Sequence, residues 1–358
     1  LVIFWTTFEA FDLVRLRSRQ TATEWSRVLF GLNAAAGLAS SAALWYRMAP
    51  DSMWIFCAGA AVLYLASTWL RYASDGETYY EFSLAISALL AALAIVAGVP
   101  GLWISLGLIL EAEVLYLAGH RLRIPIAKIL GGAGFAFALR YIADDFVQAE
   151  AFVPGIGLVH AGSPALTVLA AVCYLNRYLS REEPFWSYAG SAMIAFLCGV
   201  ETKSQDLVGP VWLAFSAILF ELGLRKSLPE FRIQAYLLAP FSAAATLALL
   251  PDEGGNWRLM LLGAFAYANA WRAIPGTSTL EPWERSMLRR AGSSALTLST
   301  AILIHRIALP GYEALTLLIA STVLLELGLR NLPSELRLPS AVMNVVGLGS
   351  LLVTHVAD

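Results

Sequence analysis

The sequence predicts an all-α, polytopic integral membrane protein of about fourteen transmembrane helices in tandem parallel four-helix repeats. Three observations lead there. Of 358 residues, 58% are hydrophobic and only 14% charged, with a mean hydropathy of +0.67; a soluble domain averages about 45–50% apolar and about 25% charged. Apolar runs of membrane-spanning length follow one another almost without interruption. Acidic and basic residues recur at a fixed interval at the ends of those runs. A net charge of −2 excludes the clustered basic surface of a nucleic-acid binder, and three cysteines exclude a disulfide scaffold.

A hydrocarbon core of about 30 Å takes roughly 20 apolar residues at 1.5 Å rise each. In the first repeat, residues 1–98, such runs lie near 1–14, 25–46, 52–71 and 80–98. The second, 99–208, holds 101–120, 125–143, 163–180 and 184–200. The third, 209–308, holds 207–225, 230–250, 257–273 and 286–308, and a half repeat, 309–358, holds 311–330 and 337–357. Connections are short, as helical hairpins require. The longest, 144–162 and 274–285, have room for re-entrant or interfacial segments. The first run, Leu1–Val14, is short for a span and has no basic n-region, so the expectation is a chain that starts partway into a longer protein.

Lys and Arg near helix ends are retained on the cytoplasmic side. Assigning connections alternately to two sides puts 19 of the 24 basic residues on one and five on the other. The five are Arg47, Arg140, Lys203, Arg258 and Arg306. One span more or fewer would destroy the bias, so the same count supports both topology and span number. The expected location is the bacterial inner membrane, with Arg-rich loops cytoplasmic.

The repeat is visible in self-comparison. Val99-Pro100-Gly101, Gly209-Pro210-Val211 and Leu309-Pro310-Gly311 open similar spans, which reach an acidic residue and then a basic cluster. The endings are Glu113…His120-Arg121-Leu122-Arg123, Glu221-Leu-Gly-Leu-Arg225 and Glu326-Leu-Gly-Leu-Arg330, with Glu9…Asp12…Arg15 as an earlier copy. Asp51, Asp144, Asp252 and Asp358 close the following helices at spacings of 93, 108 and 106. A period near 105 holds four spans, an even number, so copies insert with the same orientation. The second helix of each copy is rich in small residues, as at Gly31–Ser41, Gly131–Gly134, Ser242–Ala245 and Gly347–Ser350. Small residues allow the close backbone approach on which association in lipid relies. With its E-L-G-L-R helix ends, P-G turns and short loops, the chain resembles a bacterial family of polytopic "predicted membrane proteins" of unknown function. That resemblance implies architecture and localisation, and it brings no activity, cofactor or catalytic residue.

Carboxylates within spans each require an explanation, because a charge at the bilayer centre costs about 2.5–3.5 kcal/mol on insertion scales. Glu221 with Arg225 and Glu326 with Arg330 are i,i+4 pairs at the cytoplasmic boundary, and Asp12 with Arg15 reads the same way. Structural pairing outweighs a functional site at all three. Glu111 lies about 15 Å from Arg121 along the axis, beyond any basic residue of its own helix. It is expected to be protonated near pH 7, paired across helices, or in a wet cavity; with Glu113 it is the candidate intramembrane polar site. Asn33, Asn176, Asn269 and Asn344 read as interhelical glue. His160, His305 and His355 map to one side but have no i+3 or i+4 ligand partner, and no Cys-x-x-Cys, P-loop or G-x-G-x-x-G occurs. No metal or other cofactor is expected. The expected function is a membrane scaffold or accessory subunit; a membrane-embedded enzyme acting on a lipid-linked substrate is the third reading, disfavoured by the short loops. Expected partners are membrane lipids and other subunits of a membrane complex, with no nucleic acid. The alternative is a transporter or lipid-handling protein that uses the intramembrane carboxylates.

Overall fold

The computed structural model describes residues 7, 10–11, 14, 24–73, 80–148, 150–153, 157–181, 183–251, 255–273, 280–309, 312–330 and 334–356. The first predicted span lies largely outside them, as do Glu9, Asp12, Arg15, Asp252 and Asp358. Among the described residues the chain forms thirteen α-helices and one β-hairpin. The helices are α1 Glu24–Met48, α2 Met53–Tyr72, α3 Tyr80–Gly98, α4 Leu102–Leu122, α5 Pro125–Gln148, α6 Ser163–Leu179 and α7 Phe185–Glu201. They continue as α8 Val208–Arg225, α9 Pro229–Ala248, α10 Asn256–Arg272, α11 Pro282–Ile307, α12 Glu313–Leu329 and α13 Arg337–Val356.

Among the described residues six helical segments are long and apolar enough to cross a membrane: Val28–Met48, Pro50–Tyr72, Tyr80–Gly98, Leu102–Arg121, Pro125–Val147 and Gln205–Arg225. Helices α6, α7, α10 and α12 have 17 residues each, about 25 Å, slightly short of a 30 Å core. Among its described residues the 144–162 connection holds the end of a helix and a β-hairpin. Helix α5 continues through Asp144 to Gln148, and β1 Glu150–Val153 then pairs antiparallel with β2 Gly157–His160, Glu150 opposite His160.

The chain divides into two units, Leu1–Val172 and Cys173–Asp358. In the first, α2 packs on α3 and α4 on α5, each as an antiparallel hairpin. Phe30, Ala34, Ala60, Ala61, Tyr64 and Leu90 form one buried cluster, and the Ser87 hydroxyl donates to the Ala61 carbonyl at 2.8 Å. The α4–α5 turn closes with Arg123 in the left-handed region (φ 58°) and the Ile124 N–H on the Gly119 carbonyl at 2.9 Å. Along this hairpin Gly131 lies against the backbone of Ala112 and Tyr116.

In the second unit, α8 packs on α9, α10 on α11 and α12 on α13. The α8–α9 turn repeats the same device: Ser227 has φ 55°, and the Leu228 N–H bonds the Gly223 carbonyl at 3.0 Å. Further along, Ser216 donates to the Ala235 carbonyl at 3.0 Å and Ser242 to the Gly209 carbonyl at 2.8 Å. In the α12–α13 pair, Ser321 and Ser340 are fully buried. Outward faces keep large apolar side chains exposed, among them Leu63, Leu110, Ile129, Ile218, Phe241 and Met260. Such a surface suits lipid and not water.

A Cβ on Gly131 would stand 2.7 Å from the Tyr116 nitrogen and 2.8 Å from the Ala112 oxygen, whereas one on Gly132 meets nothing within 4 Å. Gly131→Val is therefore expected to destabilise the hairpin by about 1–3 kcal/mol. In detergent it should lower the midpoint of thermal unfolding, while Gly132→Val leaves that midpoint nearly unchanged.

Candidate functional site

The most developed polar arrangement is built on the first two turns of α9. Glu230, Arg232, Gln234 and Tyr236 alternate in sequence, so the i,i+4 pairs Glu230/Gln234 and Arg232/Tyr236 face different neighbours. The turn at Ser227 folds α9 back along α8, and Arg232 comes to lie against Gly223. Its Nε donates to Glu284 Oε1 at 2.9 Å and its Nη2 to Oε2 at 3.1 Å, a bidentate pair whose side chains are 6% and 2% exposed. Glu284 is fixed from its own helix, since α11 opens with a capping box in which the Glu281 N–H donates to Glu284 Oε2 at 2.9 Å. The Tyr236 hydroxyl donates to Oε1 at 3.1 Å. Glu284 stands two residues ahead of the apolar run 286–308. Burial by itself raises its carboxyl, but the Arg232 guanidinium, the Glu281 amide and the Tyr236 hydroxyl together hold it below the usual carboxylate range.

The other face of α9 meets the C-terminal part of α6 and the start of α7. Arg177 Nε donates to Glu230 Oε1 at 3.0 Å, and its Nη1 donates to the Arg181 carbonyl at 2.7 Å. Ser191 donates to Gln234 Oε1 at 2.6 Å, and Gln234 Nε2 donates to Ser187 at 2.9 Å. The Tyr174 hydroxyl lies 2.7 Å from Ser191. At the opposite ends of the helices Arg258 pairs with Asp206, and Arg306 Nε donates to Asn256 Oδ1 at 3.2 Å.

One turn beyond Tyr236, helices α8, α9, α10 and α11 line a half-open cavity of about 250 Å³. Its walls are mostly apolar, with Leu213, Phe220, Pro240, Phe265 and Met287 among them; Asn269 and Tyr236 supply polar groups.

Glu113 is buried on the face of α4 that carries Ala112 and Tyr116, whereas Glu111 is half-buried. Among the described residues no side-chain hydrogen bond or ion pair reaches Glu111. Arg225 Nε donates to Glu221 at 2.8 Å, and Glu221 also pairs with Arg272 at 2.9 Å. Arg330 Nε donates to Glu326 at 2.8 Å, with both side chains exposed. Within this unit, Glu221, Arg225, Glu326 and Arg330 pair away from the Arg232–Glu284 cluster. Among the described residues no three His, Cys, Asp or Glu gather as metal ligands. Sequence reasoning missed Arg232–Glu284 because the partners lie 52 residues apart. The one local signal was the Glu281-Pro-Trp-Glu284 capping-box spacing.

Removing one member of a buried ion pair strands the other, at about 3–5 kcal/mol, while replacing both with apolar residues is often neutral. Arg232→Met is thus expected to lower detergent-solubilised stability sharply, and Arg232→Met with Glu284→Leu to recover most of the loss in the same melts. Because the folded-state pKa of Glu284 is depressed, its contribution is present above the ordinary value near 4.3 and is lost as pH falls through the folded value. Between about pH 5 and pH 3 the melting point of the wild type should fall more steeply than that of Glu284→Gln.

Comparison of the chain with family models, with curated proteins and with solved structures finds no match.

Proposed function

We propose that the chain is a multi-pass scaffold or accessory subunit of a bacterial inner-membrane complex. In this reading it has about fourteen spans in tandem parallel four-helix repeats, with its Arg-rich ends cytoplasmic. One recurring geometry supports the repeat. Gly119, Gly223 and Gly328 each lie against the backbone and Cγ of a basic residue nine positions on, namely Lys128, Arg232 and Arg337. Arg232 and Arg337 also donate to the carbonyls of Gly223 and Gly328, at 3.4 and 3.1 Å. The spacings between these glycines, 104 and 105 residues, match the period read from the sequence.

The observation that carries the scaffold reading is the use of buried charge. Arg177, Arg232 and Arg258 each meet a carboxylate on another element. Charge committed to holding helices together serves assembly better than turnover, and rows of exposed apolar side chains remain for lipid or neighbouring subunits. Transport is the second reading, favoured by the half-buried Glu111.

Topology is tested by replacing Cys57, Cys173 and Cys198 with Ala and placing single cysteines in the loops. Cysteines at 123 and 226 are expected to label from the cytoplasmic side only, and those at 51 and 204 from the outer side only. The reverse pattern, or mixed labelling, overturns the span assignment. Purification from native membranes in mild detergent is expected to yield a fixed-stoichiometry complex. A chain that purifies alone and moves a solute in a Glu111-dependent manner replaces the scaffold with the transporter.

A further inference from the structure

The cavity among α8, α9, α10 and α11 has features that neither packing nor the ion pairs account for. Asn269 is 9% exposed and lines it, yet among the described residues its carboxamide makes no side-chain hydrogen bond. A buried amide away from water costs free energy unless a partner satisfies it, so the chemistry of this position calls for one. Pro240, also in the wall, has no N–H, and the Tyr236 carbonyl one turn earlier loses its usual helical donor. The other polar wall residues, Ser216 and Tyr236, already donate to the Ala235 carbonyl and to Glu284, and the remaining walls are apolar, many of them alanine: Ala235, Ala239, Ala243, Ala291 and Ala295.

Size and access restrict the occupant. A volume of about 250 Å³ falls just below the roughly 300–1,000 Å³ of sites for whole small molecules, so it suits one hydrocarbon arm. Met287 to Ala295 spans about 12 Å along α11, which makes the space elongated. Wall residues Pro240 and Ala291 are exposed, and beside them Leu237 and Phe241 present apolar surface, so entry is from the hydrocarbon side.

We propose that this cavity binds a single hydrocarbon chain of a membrane lipid that carries a carbonyl group, with the Asn269 carboxamide donating to that carbonyl. An ester-linked acyl chain and an isoprenoid quinone share this chemistry. The site does not depend on the scaffold reading, because it lies within one unit and needs no protein partner.

The test is photo-crosslinking of the full chain reconstituted in vesicles. One arm uses phosphatidylcholine with an ester-linked, diazirine-bearing chain. A second uses its ether-linked analogue, which lacks the carbonyl, and a third uses a diazirine-tailed isoprenoid quinone in ether-linked lipid. The ester probe is expected to label Phe265 and Met287 about tenfold more than the lipid-facing Leu261 and Leu298. Loss of one neutral hydrogen bond should make ether labelling about threefold to tenfold weaker in the wild type, a comparison that needs no variant. Asn269→Leu should bring ester labelling down to the ether level, and Ala239→Trp should abolish both by filling the space. Stronger labelling by the quinone than by the ester assigns the source as quinone within the same chemistry. Cavity labelling no stronger than at Leu261 and Leu298, or equal labelling by ester and ether probes, overturns the assignment.

Discussion

Close approach of backbone to backbone is the constraint on which the hairpins of this protein depend. In lipid an apolar side chain gains nothing by leaving equally apolar tails, so helices associate through packing contacts that small residues permit. The crossings are built accordingly. A Cβ on Gly209 would fall 2.6 Å from the Thr246 nitrogen, and one on Gly292 would fall 2.6 Å from the Ala266 oxygen. At Gly131 and Gly223 the obstructing atoms again include backbone of the partner helix. Backbone cannot rotate aside as a side chain can, so these positions admit glycine alone without a shift of the helix.

That approach sets the electrostatics. Because Gly223 lets α9 fold tightly along α8, Arg232 and Glu230 are carried into the packed ends of the helices instead of the water beyond them. Each then needs a carboxylate or guanidinium within hydrogen-bonding reach, and Glu284 and Arg177 supply them. A buried ion pair is weak as a source of net stability, since desolvation offsets most of the attraction. Its value here is selection: α9 offers one polar pair toward α11 and another toward α6 and α7, which fixes its rotation about its own axis.

Small residues have a second consequence. The alanines that line the cavity from α9 and α11 do not fill the space between the two hairpins, and about 250 Å³ remains. In a close-packed interior such a void forfeits dispersion contacts unless something occupies it. Pro240 and the Asn269 amide, which makes no side-chain hydrogen bond among the described residues, lie at that void, where the proposed lipid chain would restore both the contacts and the hydrogen bond.

The sequence by itself determined the helical class, the positions of most helices and the i,i+4 pairs Glu221–Arg225 and Glu326–Arg330, because these follow from hydropathy and from spacing along one helix. Tertiary structure alone decided that Arg232 reaches Glu284, that Arg177 reaches Glu230, and that Asn269 faces a cavity instead of a neighbouring polar side chain. Those facts depend on which helix faces which, across separations of 52 and 53 residues. It also decided that the segment after α5 forms a hairpin, with Glu150 opposite His160. Hydropathy reports how much a segment prefers oil but carries no record of its rotation, and rotation selects the partner each polar group meets.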